Sequence, residues 1–220
     1  MQDTTPLVTE PVLPPVIPVL EEEKEPETLE DFLPLALYFD NDEPDKRTRK
    51  TTTKKTYETT YERYIKRKKT YLKEYTKPVE EDDKASAEQF MDDFFEDEIK
   101  KGFNHLFLFS EILLKRLKEG EKVEIFIKGF TSPRAKSDYN LALGKRRVSS
   151  LRNHFATYKD QIFQPYIDGG QLIITERSFG EATAAADVSD ELEDQRNSIY
   201  SVSAARERRV EIVEIKRERK

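Results

Sequence analysis

The prolines of this chain are concentrated at its N-terminus, and they limit where a packed fold can begin. Seven of the 11 prolines lie within the first 34 residues. Proline lacks a backbone N–H and favours extended polyproline conformations, so such a segment forms neither a helix nor a central strand. We therefore predict that residues 1–31, with their acidic run Glu21–Glu25, form a semi-rigid tether. A proline-rich recognition ligand is the alternative that the same composition allows.

The rest of the chain is long enough for one domain with a buried core, and its composition excludes several kinds of site. The chain has 220 residues, no cysteine and a formal net charge of −6. Without cysteine it has no disulfide, no thiol nucleophile and no cysteine-bound metal. It also lacks the long apolar run that a membrane-spanning helix requires. Met1 is not followed by the basic and apolar regions of a signal peptide, so we expect either a cytoplasmic protein or a piece of a longer exported one.

Two neighbouring blocks of opposite charge follow the tether. Residues 46–77 contain 13 Lys or Arg and three Glu, whereas residues 80–98 contain ten Asp or Glu and one Lys. Both blocks are expected to form solvated helix faces. The tyrosines from Tyr57 to Tyr75 recur at helical spacing, which indicates one buried stripe. Basic and aromatic residues together can also bind nucleic acid, but the acidic net charge and the single stripe favour a core role, so no nucleic-acid partner is predicted.

Helical periodicity continues after the charged blocks. A helix is predicted to begin after Ser86 and to stop at Gly120, with Gly102 as a candidate interruption. A later helix is predicted over residues 137–158. The side chains expected to face inward from it are Leu141, Leu143, Val148, Leu151 and Phe155.

Short apolar runs bounded by turn residues predict four strands. The predicted strands are Leu35–Phe39, residues 122–128, Leu172–Ile174 and Val210–Ile215. Residues 182–205 are small, polar and aperiodic, and they predict a long loop or a weak helix, while residues 217–220 form a charged tail. Strands that alternate with helices indicate an α/β layer structure, with helices packed on a small sheet.

The sequence offers little for catalysis. It contains no Gly-x-Ser-x-Gly elbow, no phosphate-binding loop and no dinucleotide fingerprint. The two histidines, His105 and His154, each lack a second ligand at metal-binding spacing. Asp92, Asp93 and Glu96 could chelate a divalent cation, but carboxylates at helical spacing are more often a solvated face. We therefore expect a protein that is not an enzyme and that holds no cofactor or metal.

Three motifs follow one another over about 95 residues of the second half of the chain. They are Gly129-Phe130-Thr131-Ser132 with Tyr139-Asn140, Leu143 and Arg147 on the next helix, then Phe179-Gly180-Glu181, and finally Arg208-Arg209-Val210-Glu211-Ile212. Together they resemble the OmpA-like C-terminal domain. This module is shared by the outer-membrane protein A family, peptidoglycan-associated lipoprotein and the periplasmic subunit of the flagellar stator.

The resemblance implies a βαβαββ domain, an α+β sandwich with helices packed on a small mixed sheet, over residues 32–216. It is good over residues 120–216 and loose over residues 35–119. Because the first helix of the family is short, residues 46–119 resemble an enlarged or inserted helical part.

The resemblance also implies a function: non-covalent binding of the diaminopimelate-containing stem peptide of peptidoglycan. Such binding would anchor an outer-membrane protein or complex, joined through the tether or the helical insertion, to the cell wall in the periplasm of a Gram-negative bacterium. In the family, an Asp after the second strand holds the diaminopimelate ammonium group, and the Arg of the helix motif holds the carboxylate. Arg147 matches the Arg, whereas Ser132 replaces the Asp. The implied ligand-binding residues are Arg147, Thr131, Ser132 and Asn140, with Asp138 as a substitute acceptor.

A second interpretation keeps the fold without the ligand. The chain would then be a protein-interaction or structural module of an envelope complex, docking through its added helices. Asn140 and Tyr139 could simply cap and pack the start of their helix, since Asn is a favoured capping residue. Arg147 has the strongest claim to a binding role, because packing alone explains an arginine near a helix start poorly.

Overall fold

A four-stranded mixed sheet organises the computed structural model, which describes residues 26–131, 137–177, 189, 191 and 193–218. The strands are β1 Leu35–Tyr38, β2 Lys122–Gly129, β3 Leu172–Glu176 and β4 Arg209–Glu218. Their order across the sheet is β1-β4-β2-β3. β4 runs antiparallel to both β1 and β2, and β3 pairs parallel with β2. All four predicted strands are therefore confirmed, and the last one extends into the predicted charged tail.

The central position of β2 follows from its alternating side chains. Val123, Ile125 and Ile127 point to one face of the sheet and are fully buried. Successive side chains of a strand point to opposite faces, so Glu124 and Lys128 lie on the other face, where both are only half-buried. The apolar face of the sheet is therefore the one that the helices cover.

Seven α-helices accompany the sheet in the described part of the chain. The segment between β1 and β2 contains four of them, and α3 passes into α4 through a π-helical segment, Phe94–Lys100. No helix among the described residues is long and apolar enough to cross a membrane. The seven helices are α1 Tyr57–Ile65, α2 Lys68–Thr76, α3 Glu81–Asp93, α4 Lys101–Lys118, α5 Ser137–Gln161, α6 Gln164–Asp168 and α7 Val202–Arg206. The fold class, α/β with helices packed on a small mixed sheet, is confirmed.

The main core lies between the sheet and the two longest helices. Its members are apolar side chains that recur at helical spacing on α4 and α5 and at every second position on the strands. They include Leu106, Phe109 and Leu113 from α4, Val148, Leu151 and Phe155 from α5, and Val123, Ile125, Ile127, Val210 and Ile212 from the sheet. Leu141 was also predicted to face the core, but its side chain is 47% exposed. It lies in the first turns of α5.

A second core joins α1, α2, α3, the π-helical segment and α7 to the outer strand β1. Tyr64, Tyr71, Phe94 and Phe95 are buried in it together with Tyr38 of β1. The predicted burial of the tyrosine stripe is confirmed at Tyr57, Tyr64 and Tyr71. Tyr61 stacks on Phe103 with ring centroids 3.7 Å apart, and Tyr64 meets Phe95 edge-on at 5.3 Å.

The two oppositely charged blocks meet across this second core. Lys68 of α2 lies 2.5 Å from a carboxylate oxygen of Asp92 and 2.6 Å from one of Glu96. These carboxylates thus pair with the basic block, although both retain substantial exposure. Because the pairs are partly exposed, they orient α2 on α3 more than they stabilise the fold.

Two predicted boundaries differ from the structure. The predicted tether ended at residue 31, but Leu29 is fully buried in the main core and Glu30–Phe32 forms a 3-10 turn. The domain therefore begins several residues earlier, and residues 1–25 of the predicted tether lie outside the described residues. α3 begins at Glu81 rather than after Ser86, because three acidic residues in its first turn favour a helix N-terminus.

Gly102 does not interrupt the helix either; it lets α4 approach β1. A Cβ atom at this position would lie 2.6 Å from the backbone oxygen of Ala36, closer than atoms can pack. Glycine inside a helix normally costs about 0.5–1 kcal/mol relative to alanine. We expect the opposite sign here: Gly102→Ala should destabilise the protein by about 1–3 kcal/mol, as overpacked cores do. Urea unfolding of the two proteins checks this, and a more stable variant would contradict the close approach of α4 to β1.

The boundary of the domain predicts different outcomes for two truncations. Removing residues 1–31 deletes the buried Leu29, whose loss resembles a large-to-small core substitution, so the melting temperature should fall by about 5 °C or more. Removing residues 1–25 spares Leu29 and should leave the melting temperature nearly unchanged. Thermal unfolding of both truncated proteins beside the full chain checks this. Equal melting temperatures for the two truncations would show that Leu29 does not contribute.

Candidate ligand-binding site

The candidate site lies at the edge of the sheet where β1 and β2 end and β4 begins. Tyr38, the last residue of β1, pairs with Arg209, and Gly129, the last residue of β2, pairs with Val210. Backbone hydrogen bonds continue past both strand ends, since Phe130 N donates to Arg209 O at 2.8 Å. The end of the first motif strand, Gly129–Phe130, and the start of the last motif, Arg209–Val210, therefore meet at one edge of the sheet.

Arg147 of α5 points into this edge. Its Nε donates to the backbone oxygen of Glu43 at 3.2 Å, and its Nη1 donates to that of Phe130 at 2.7 Å. The guanidinium carbon lies 5.4 Å from the ring centroid of Phe39. The remaining nitrogen, Nη2, is buried and has no hydrogen-bond partner among the described residues. Arg147 thus has one unpartnered donor.

No carboxylate in the described chain lies within ion-pair distance of Arg147, although three stand nearby. The Asp40 carboxylate accepts a hydrogen bond from Arg67 Nη1 at 2.5 Å and another from the Tyr71 hydroxyl at 2.7 Å. Glu43 is 3.0 Å from the ammonium group of Lys55. Asp42 accepts a hydrogen bond from the Tyr139 hydroxyl and lies 3.9 Å from Arg146. The acids of this edge are therefore engaged by other groups.

Burial lowers the pKa of Arg147 to about 9. The positive charges of Arg208 and Arg146 add to this lowering, while Asp42 opposes it. A charged group that is buried without a partner is costly, and a bound anion would offset that cost. The electrostatics of this edge therefore favour a negatively charged group beside Arg147.

Arg146 and Arg208 are two buried arginines whose roles sequence reasoning did not identify. Arg146 donates from Nε to Pro44 O at 3.0 Å and from Nη1 to the backbone oxygens of Thr48 and Lys50. Arg208 donates from Nη2 to Ile199 O at 2.8 Å. Both side chains hold backbone in place, so they shape the site around Arg147. An adjacent Arg-Arg pair was the sequence signal in each case.

The other predicted ligand residues are placed unevenly. Thr131 follows β2 directly and is half-buried, near the carbonyl that Arg147 contacts. Ser132 lies outside the described residues. Asn140 stands in the first turn of α5, half-buried.

Asp138 does not reach Arg147. The two residues are nine positions apart on α5, which separates them by about 13 Å along the helix axis. The Asp138 carboxylate is exposed and lies 3.6 Å from Arg49. The structure therefore does not bring the Asp138 and Arg147 side chains together, and the role of Asp138 as the substitute acceptor stays a prediction.

The described residues contain no group of three or more acidic or histidine side chains that could hold a metal ion. The arrangement at the sheet edge consists of arginine, tyrosine and backbone groups, and the donors it offers can orient an anion.

Comparison with known proteins identifies no relative of this chain. No protein family model matches the sequence, no curated protein matches it and no solved structure matches its fold.

His154 lies on α5, against the rings of Phe107 and Tyr158. Its burial there predicts that acid destabilises the core. Burial lowers its pKa to about 4, and its Nε2 has no hydrogen-bond partner among the described residues. The unfolded chain binds the proton near pH 6.5, so the folded protein loses stability as the pH falls from about 6.5 to about 4. The loss from this one residue should approach roughly 3 kcal/mol.

The measurement is urea unfolding of the wild type and His154→Gln between pH 7 and pH 4. Carboxylates contribute to the acid sensitivity of both proteins, so the difference between the two curves isolates His154. We expect the difference in free energy of unfolding to shrink or reverse at low pH. Parallel curves would show that His154 is accessible to protons in the folded state.

Proposed function

We propose that this chain is a non-catalytic module of the bacterial cell envelope that binds the stem peptide of peptidoglycan. The carboxylate of diaminopimelate would occupy the position beside Arg147. The unpartnered Nη2 atom of Arg147 carries this proposal, because a buried guanidinium donor without an acid calls for an anion. Carboxylates suit it, since arginine binds them through directed, charge-assisted hydrogen bonds.

The arrangement of elements supports the proposal. The chain runs strand, helices, strand, helices, strand, the short helix α7 and strand, which departs from the βαβαββ order that the OmpA-like resemblance implies only by α7 and the π-helical turn before it. Among the described residues, Gly129–Thr131 of the first motif and Arg208–Ile212 of the last lie at the same edge of the sheet as Arg147. In this proposal the module is periplasmic, and residues 1–25 connect it to an outer-membrane protein or complex.

The ammonium group of the ligand has a weaker partner than in the family. Ser132 offers a hydroxyl where the family offers a carboxylate, and the Asp138 carboxylate is paired with Arg49. A hydrogen bond to an ionised acceptor is roughly twice as strong as one between neutral groups. We therefore propose a weaker affinity than that of relatives that carry Asp.

One observation favours the second candidate, a structural or interaction module that has lost the ligand. The Arg147 side chain is fully buried, and two of its three nitrogens donate to backbone oxygens of the chain itself. In this candidate Arg147 holds the Glu43 segment against β2, and the inserted helices α1–α4 provide the docking surface.

Removal of the Arg147 guanidinium separates the two candidates. Arg147→Gln should weaken co-sedimentation with purified peptidoglycan sacculi by at least about tenfold, the loss expected from one charge-assisted contact. Lys122→Gln is the matched control, because it removes one positive charge at the opposite end of β2 and should bind like the wild type. Thermal unfolding of each variant shows whether the loss of binding follows from a loss of fold.

Calorimetric titration with a diaminopimelate-containing muropeptide completes the test. Arg147→Lys keeps the charge without the fork, so it should bind more weakly than the wild type even if Arg147→Gln fails to fold. Ser132→Asp should bind more tightly, because it restores an ionised acceptor. If none of the folded proteins binds, the ligand-free module is the better account. If Arg147→Lys binds as well as a wild type that binds, the assignment of the ligand carboxylate to the Arg147 guanidinium is wrong.

A further inference from the structure

The segment after β1 borders a cavity that is separate from the proposed stem-peptide site. Residues 43–55, here called the β1–α1 loop, curl around an open cavity of about 880 Å³. All of the residues that line it are charged residues or threonines. A cavity of this size can hold a ligand of one or two sugar units, which makes its chemistry worth deriving.

The β1–α1 loop is held in shape by side chains of α5. Arg146 donates to the backbone oxygens of Pro44, Thr48 and Lys50 at 3.0, 2.5 and 2.8 Å. Asn153 donates to those of Thr53 and Lys55 at 2.8 and 3.0 Å. Five hydrogen bonds from one helix therefore fix the loop, and the cavity it surrounds is preorganised. Preorganisation lowers the entropic cost of binding.

The cavity carries an excess of positive charge. Four lysines and two acids line it. Lys55 lies 3.0 Å from Glu43 and 3.1 Å from Asp45, so it engages both acids. Lys50 and Lys54 are exposed and form no ion pair with any described residue. These two lysines therefore line the cavity with no acidic partner in the described part of the chain.

Hydroxyl groups stand between these lysines. Thr48, Thr52 and Thr53 line the same cavity. Thr53 is engaged, since its hydroxyl donates to Asp45 at 2.5 Å, whereas Thr52 is exposed. Ammonium groups alternate here with hydroxyl groups, and no aromatic side chain lines the wall.

We infer that the β1–α1 loop is a binding site for an anionic carbohydrate, a sugar that bears a phosphate or a carboxylate. The lysines supply point charges for the anionic group, and the threonine hydroxyls and loop backbone can hydrogen-bond the sugar hydroxyls. Single-stranded nucleic acid fits less well, because its recognition relies on aromatic side chains that stack on bases. This inference goes beyond the stem-peptide site and does not depend on it, because no step of it uses the free Nη2 of Arg147.

The test uses the full chain and small defined probes. Glucose 6-phosphate and glucuronate, which differ in the source of their charge, are titrated against the protein by nuclear magnetic resonance, with glucose and inorganic phosphate as the partial ligands. We expect both anionic sugars to bind and to shift the backbone signals of the β1–α1 loop. Glucose alone and inorganic phosphate alone should each bind more weakly. Inorganic phosphate that binds as tightly as the sugar phosphate would overturn the carbohydrate assignment.

The double variant Lys50→Gln with Lys54→Gln should lose about tenfold or more in affinity, as expected when charge-assisted contacts are removed. The control is the double variant Lys69→Gln with Lys73→Gln. These two lysines of α2 are exposed and lie outside the cavity, and their substitution removes the same amount of charge. Equal losses in both variants would show that only the general charge of residues 46–77 matters, and the inference would be wrong. A short single-stranded oligonucleotide that binds in place of the sugars would overturn it in favour of nucleic acid.

Discussion

Buried guanidinium groups that donate to backbone oxygens hold this fold together at one edge of its sheet. Arg146 and Arg147 on α5 fix the segment that follows β1, and Arg208 fixes the segments around the start of β4. Arginine is almost never fully buried without acidic partners, because its charge must leave water. Here carbonyl oxygens replace carboxylates as the principal acceptors. The sheet edge is therefore well ordered and remains electropositive.

That residual charge connects the architecture to binding. Asp40, Asp42 and Glu43 follow β1 directly, but each is engaged by a tyrosine or by another cation. These acids stand at the start of the segment that continues as the β1–α1 loop. The Arg146 and Arg147 side chains donate hydrogen bonds to the backbone of this segment. One structural device thus produces two places that favour an anion: the buried one beside Arg147 and the open one among the lysines.

The inserted helices are integrated into the domain through a core of their own. Tyr64 and Tyr71 pack on Phe95 of the π-helical segment, and Tyr71 also accepts a hydrogen bond from Arg208. The aromatic core of the insertion and the arginine cluster therefore share a side chain. Substitutions in the aromatic core of these helices should consequently displace the Arg208 side chain at the sheet edge, because closely packed groups transmit displacement.

The sequence by itself determined the strands, most helices and the fold class, because alternation and helical periodicity are local patterns that burial of one face preserves. It also singled out Arg147 through its motif. Only the tertiary structure decided that Leu29 is buried and that Leu141 is exposed. Those outcomes depend on contacts between residues distant in the chain, which no local pattern contains. The burial of a charged side chain against backbone oxygens is likewise a property of the assembled fold.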